Sequence, residues 1–320
     1  MKGSRGDWFL YTPRPFSVEN LPQLSPVFSS VQNQDYSLDK RKLKAHKGRR
    51  LPWRQSEMTL CIAAACRHKE ENRIVLCSDM KIGTWAAKAE IGFKVRWARA
   101  NWPALISGDM SKAARLVKTF STHLNGVELN SDNVFDAMQN AANIFREKLA
   151  DDIVRRNFGI SSEYLRKNKG KFPASKVVET YAQISEIDSG VEMIVVGFIG
   201  PDAYIFIVER DCTVEHRTNF AAIGTGAYIA EPALYQRGQH WGTPLPKTLY
   251  HAYEAKRLGQ IAEGVGSFTV LMAIAPPKNG EIRYLMVSEN TKQFLEEKYK
   301  EYGLKPTDDL DWEAEGEKPE

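Results

Sequence analysis

The chain has 320 residues, of which 42% are hydrophobic and 26% charged, and it carries a formal net charge of +4. No apolar run approaches the length of a membrane span. The 4 cysteines and 6 histidines show neither a disulfide framework nor metal-ligand spacing, so no metal and no cofactor is expected. One globular unit in a reducing, cytoplasmic setting fits that composition.

The first 57 residues differ from the rest of the chain. They hold Pro13, Pro15, Pro22, Pro26 and Pro52 and the basic run Lys40 to Arg54. Eleven Lys and Arg stand against five Asp and Glu, a net of +6, which leaves −2 on the remaining 263 residues. No part of this arm holds a helix or strand period for long, so residues 1–57 read as a disordered basic arm. It is either a propeptide removed between Met58 and Thr59 or a misassigned start. A basic run can attract nucleic acid or anionic lipid, but as a solvated flexible segment it implies no such partner.

From Thr59 the pattern changes to short apolar runs. Residues 59–66 and 73–79 read as a hairpin joined by the polar loop 67–72, and residues 93–99 and 103–108 as a second pair of strands. Helices come next over 111–124, with Ser111 as N-cap, and from about 131, with Ser131 as cap. In the second, Val134, Met138, Ala141, Phe145, Leu149 and Ile153 recur at three- and four-residue steps. Residues 159–190 read as a Lys-rich irregular stretch, either an insertion or an extension of the helix. Strands return at 191–200, 203–210 and 219–226, helices from about Ala227 and over 247–262, strands at 268–276 and 282–288, and a last helix from Asn290. The acidic tail, about 305–320, reads as loose. Strands in blocks, separated by pairs of helices, predict an α+β fold in which two antiparallel sheets stack between helices, rather than a doubly wound parallel sheet.

Within that order, the spacing of Thr59, Asp79, Lys94 and Gly108, each on a strand or strand end, resembles that of the N-terminal-nucleophile hydrolases. The similarity is to the β-type proteasome subunits and their bacterial relatives, over roughly Thr59 to Ser288. The resemblance implies a four-layer αββα sandwich and a threonine-type hydrolase acting on peptide or amide bonds. A threonine hydroxyl is a weak nucleophile, and a free α-amine on the same residue, titrating near pH 8 when unperturbed, can act as its base. The threonine must then be the first residue, which gives the Met58–Thr59 boundary its meaning.

By the same resemblance, Asp79 hydrogen-bonds near the nucleophile and holds Lys94 charged. Lys94 lowers the pKa of the amine and hydroxyl, and the backbone N–H of Gly108 stabilises the oxyanion. Thr225, in AIGTGAY, stands where the family has a serine, and Glu263 where it commonly has an aspartate. Gly266 occupies a further serine position, with Ser267 beside it. The loop between Thr59 and Asp79 is several residues longer than in the family. Cys61 is a rival nucleophile, set two residues deeper in the strand. The implied partners are a peptide or amide substrate, further copies of the chain in a ring or two-layer homo-oligomer, and an unfoldase or gating partner. A small-molecule amidase and an inactive scaffold subunit are the two other readings of the same fold.

Overall fold

The computed structural model describes residues 59–83, 88–89 and 94–303. The expectations for the arm, for Met58 and for the acidic tail fall outside the described residues.

The first strands, β1 (Cys61–His68) and β2 (Glu71–Asp79), pair antiparallel from Cys61↔Ser78 to His68↔Glu71. The ladder thus runs through most of the stretch expected to be loop, leaving a turn at Lys69 (φ 55°) and Glu70. Two short strands, β3 (Ile82–Gly83) and β4 (Lys88–Ala89), come before β5 (Val95–Arg99) and β6 (Trp102–Gly108). Helix α1 (Met110–Leu124) is capped by Asp109, whose carboxylate accepts from the N–H groups of Ser111 and Lys112. Helix α2 (Ser131–Phe158) is capped by Asn130. Both corrections shift the cap to a better-placed acceptor just upstream of the serine expected there.

The stretch read as an insertion or a helix extension forms short helices of its own. It holds α3 (Ser162–Asn168), a 3-10 turn at Lys169–Lys171 and α4 (Ala174–Ser185). These pack on the end of α2 through a small core of Val154, Leu165 and Val177, which explains why the lysines, on the outer faces, hid the pattern. Strands β7 (Val191–Ile199) and β8 (Asp202–Val208) come next, then β9 (Val214–Arg217), which the sequence did not suggest, and β10 (Phe220–Ile223). Helices α5 (Ala227–Gln236) and α6 (Leu245–Gly259), strands β11 (Thr269–Lys278) and β12 (Glu281–Met286), and helix α7 (Glu289–Tyr302) complete the order.

Two five-stranded antiparallel sheets result, β10-β1-β2-β11-β12 and β5-β6-β7-β8-β9. Successive side chains on a strand face opposite ways, and β1 is apolar on both faces. Cys61, Ala63 and Ala65 join Leu105, Ile194, Val196 and Ile205 in a core between the sheets. Ile62, Ala64 and Cys66 join Ala230, Leu234, Ala252 and Ala255 beneath α5 and α6. On the far side of the second sheet, Trp102, Phe206 and Val195 pack on Phe120, Met138 and Phe145 of α1 and α2. The expected αββα layering is what the chain adopts. Each large apolar side chain so buried contributes about 1.5–3 kcal/mol to holding it.

Candidate active site

Thr59 lies just before β1 and is buried, 3% exposed. Its carbonyl accepts from Gly226 N–H and from Thr225 Oγ1, each at 3.3 Å, and its nitrogen lies 3.4 Å from Thr225 Oγ1. The close fit of residues 224–226 depends on glycine. A Cβ on Gly224, whose φ is +92°, would come within 2.5 Å of both Thr59 Cγ2 and Thr59 O. Glu192 of β7 fixes that turn from the other sheet by accepting from Gly224 N–H at 2.9 Å.

Asp79 ends β2, and its own N–H donates to Leu60 O, extending the ladder to the residue after Thr59. Its carboxylate, with no exposed surface, is where the site converges. Oδ1 accepts from Thr59 Oγ1 at 2.8 Å, Leu60 N–H at 3.0 Å and Lys94 Nζ at 2.5 Å. Oδ2 accepts from Gly266 N–H at 3.0 Å and Lys81 N–H at 3.2 Å. The ion pair joins the two sheets, because Lys94 leads into β5, and both partners are buried, at 4% and 0% exposure. Such a pair is held by geometry, since desolvating two charges costs several kcal/mol unless their remaining hydrogen bonds are made.

Gly108 ends β6 with φ +103°, turning the chain from strand to the α1 cap. Ile106 N–H donates to Lys94 O, and alternation along the strand sets the Gly108 N–H on that same edge. The structure therefore gathers Thr59, Asp79, Lys94 and Thr225 into one hydrogen-bonded cluster. Gly108 joins it through β6 and not by a direct bond.

Glu263 takes part differently from what the resemblance implied. Its side chain is exposed, and its backbone carbonyl lies 3.5 Å from Thr225 Oγ1. The glycine at 266 has a steric reason. A Cβ there would meet Lys81 Cβ at 2.7 Å and Asp79 Oδ2 at 3.1 Å, so a serine would push on the carboxylate. Ser267 is exposed, and its carbonyl is held by Lys256 of α6 and by Gln260 just past its end, at 2.8 and 2.9 Å.

Cys61 is a poor rival. Its Sγ donates to Ile106 O at 3.6 Å, and burial pushes its thiol up to about 12, against the opposing pull of Lys94. The thiolate is the reactive form, so with Thr59 and Leu60 in place burial disfavours Cys61 as a nucleophile. Two further buried hydroxyls, Ser78 Oγ beside Asp79 and Ser107 Oγ beside Gly108, have no hydrogen-bond partner among the described residues.

Sequence reasoning missed Glu192, Lys256 and Gln260, because their partners are backbone atoms, which are the same whatever the residue. The only signal was charge or polarity inside otherwise apolar elements. Among the described residues no group of three or more His, Cys, Asp and Glu could hold a metal ion. No described helix is long and apolar enough to cross a membrane. Among the described residues a cavity of about 510 Å³ lies away from the cluster, lined by residues that include Arg237, Lys247, Tyr250 and Phe294.

No protein-family model and no curated protein sequence matches the chain. Among solved structures it is similar to Anbu (ancestral beta-subunit) from Yersinia bercovieri, at 14% identity and a TM-score of 0.49 over 76% of this chain and 94% of that one. At that distance, what the cluster does is read from its own geometry.

Proposed function

We propose that this chain is a threonine-type N-terminal-nucleophile hydrolase that cleaves peptide or amide bonds once Thr59 is its first residue. The observation that carries this reading is the buried Asp79 carboxylate, which receives the Thr59 hydroxyl, the Leu60 N–H and the Lys94 ammonium on one oxygen. A nucleophile, a cation beside it and a group that orients both are the parts such a reaction needs.

In the proposed cycle the free Thr59 amine, oriented by Thr225 Oγ1, takes the hydroxyl proton as Oγ1 attacks the amide carbon. The oxyanion that forms accepts the Gly108 N–H. Collapse of the tetrahedral adduct breaks the C–N bond, and the amine's proton passes to the leaving nitrogen. Water then attacks the ester by the same proton path and frees the acid and Thr59. Lys94 disfavours the ammonium form of the Thr59 amine and favours the alkoxide, both by its positive charge.

Assembly into a homo-oligomer, with a peptide substrate admitted by a gating or unfoldase partner, belongs to the same proposal. Tyr228, Ile261 and Phe268 support it. At 71%, 78% and 60% exposure, they flank the loops that hold Thr225 and Gly266, where a second copy would cover them.

The test joins intact mass and N-terminal sequencing of the purified full chain with turnover of a panel of peptide amides. A mature chain starting at Thr59 that hydrolyses them is the expected result. Thr59→Ala should keep the fold, leave the Met58–Thr59 bond uncleaved and lower turnover by about 10⁴-fold or more. Turnover that survives in Thr59→Ala rejects the mechanism.

A further inference from the structure

Among the described residues two lysines are buried, Lys94 and Lys256, and both lead to Asp79. Lys94 bonds its Oδ1 directly. Lys256, on α6 and with no exposed surface, directs its ammonium at two consecutive carbonyls, Gly266 O at 2.9 Å and Ser267 O at 2.8 Å. One turn on, Gln260 Nε2 bonds the same two carbonyls, at 3.1 and 2.9 Å. Gly266 is also the residue whose N–H donates to Asp79 Oδ2 at 3.0 Å. Its own Cβ position has no room, so the backbone lies against the carboxylate with nothing between them.

Burying an ammonium costs several kcal/mol even after relaxation, and carbonyl oxygens offset that only when their placement is good. A loop that needed only tethering would be served by the neutral donor of Gln260. The added cation fixes the 266–267 carbonyls rigidly and so sets the direction of the preceding N–H. Asp79 is therefore gripped on both oxygens, by a lysine from each side: one from the strand layer and one, through a single residue, from the helix layer.

We infer that Lys256 is a positioning residue for hydrolysis at Thr59, acting by holding Gly266 so that its N–H orients Asp79. This rests on the proposed function of that site. It also makes a claim about Gly266 that stands whether or not the chain is a hydrolase.

The test uses the full chain and Lys256→Met, which keeps an unbranched side chain and removes the ammonium. Amide hydrogen exchange over 263–269 is measured beside kcat and KM on a peptide amide. The expected result is faster exchange at Gly266 with the β1–β2 ladder unchanged, and kcat lower by about 10–100-fold with KM within about twofold, the signature of a misplaced reacting group. Unchanged exchange at Gly266 overturns the inference, and so does faster exchange with unchanged kcat or a change confined to KM. If the parent chain hydrolyses no amide, the Thr59 mechanism fails, and exchange at Gly266 alone decides whether Lys256 holds the donor to Asp79. Should Lys256→Met not fold, Gln260→Leu, which removes the neutral donor to the same carbonyls, is expected to show the same changes at several-fold smaller size. Its failure to alter either exchange or kcat would overturn the inference equally.

Discussion

The two helix layers cover their sheets with different material. Under α1 and α2 the core is large and aromatic, with Trp102, Phe120, Phe145 and Phe206 packed together. A buried hydroxyl on these helices, Thr119 Oγ1, bonds back to Arg115 O one turn earlier. Under α5 and α6 the apolar residues are mostly small, Ala230, Ala233, Ala252 and Ala255. Between them are buried Gln239, Thr248, His251, Glu254 and Lys256. Four of these polar groups bond beyond their own helical turn: Gln239 to Ala65 O, His251 to Gln239, Glu254 to Arg237 and Lys256 to Gly266 O. Large apolar volume gives cohesion with little direction, whereas buried hydrogen bonds give direction at modest net energy. The first layer holds the sandwich together, and the second sets atoms in the candidate site.

Substitutions can break that division of labour. Lys94→Met, in the site itself, should have the largest combined effect: a loss of about 3–5 kcal/mol, because Asp79 stays buried without its ammonium, together with loss of turnover. Urea unfolding and peptide-amide assays check it. Adding Asp79→Asn should restore part of the stability and none of the activity. On the aromatic side, Phe145→Ala should cost a similar ~3–5 kcal/mol but leave kcat within about twofold, read from urea midpoints and rates at low temperature. A large fall in kcat there would show that the aromatic layer also directs the site.

The smallest effect concerns pH. Burial, with Lys247 and Arg237 nearby, pulls the His251 imidazole down to about 4. The unfolded chain takes up this proton near 6.5 and the folded chain does not, so the unfolded state gains as pH falls. Stability from this group is whole above about pH 6.5 and is lost progressively toward pH 4, at no more than about 1.4 kcal/mol per pH unit. Unfolding free energies of the parent and His251→Leu over that window should differ in slope. Parallel curves would mean that this part of the polar layer does not titrate.

The layers were legible in the sequence because the short apolar runs at residues 60–66 and 74–77 and the three- and four-step repeat from Val134 arise directly from burial. What was hidden has physical causes. The β9 strand, VEHR, buries only Val214, so an edge strand looked like a loop. The hairpin ladder runs on through Arg67↔Asn72 and His68↔Glu71, where polar side chains gave no strand signal. Thr59, Asp79, Lys94 and Thr225 could be nominated because their chemistry is in their side chains. Lys256 could not, since one more lysine in YEAKRLG shows nothing until the carbonyls it meets are known. Glu263 was nominated for its carboxylate, yet reaches Thr225 by its main chain, which is the same for any residue.

The four cysteines are all free and buried. Burial raises Cys61, Cys66 and Cys77 to about 12 and Cys212 to about 11, so the native molecule holds almost no thiolate at neutral pH. Three of these thiols sit in the β1–β2 hairpin, and the fourth lies in the turn between β8 and β9, against the aromatic layer. The molecule thus carries its own clock for local unfolding. An alkylating reagent can strike only as a sheet comes apart, and the order in which the sulfurs are consumed records which half of the sandwich yields first.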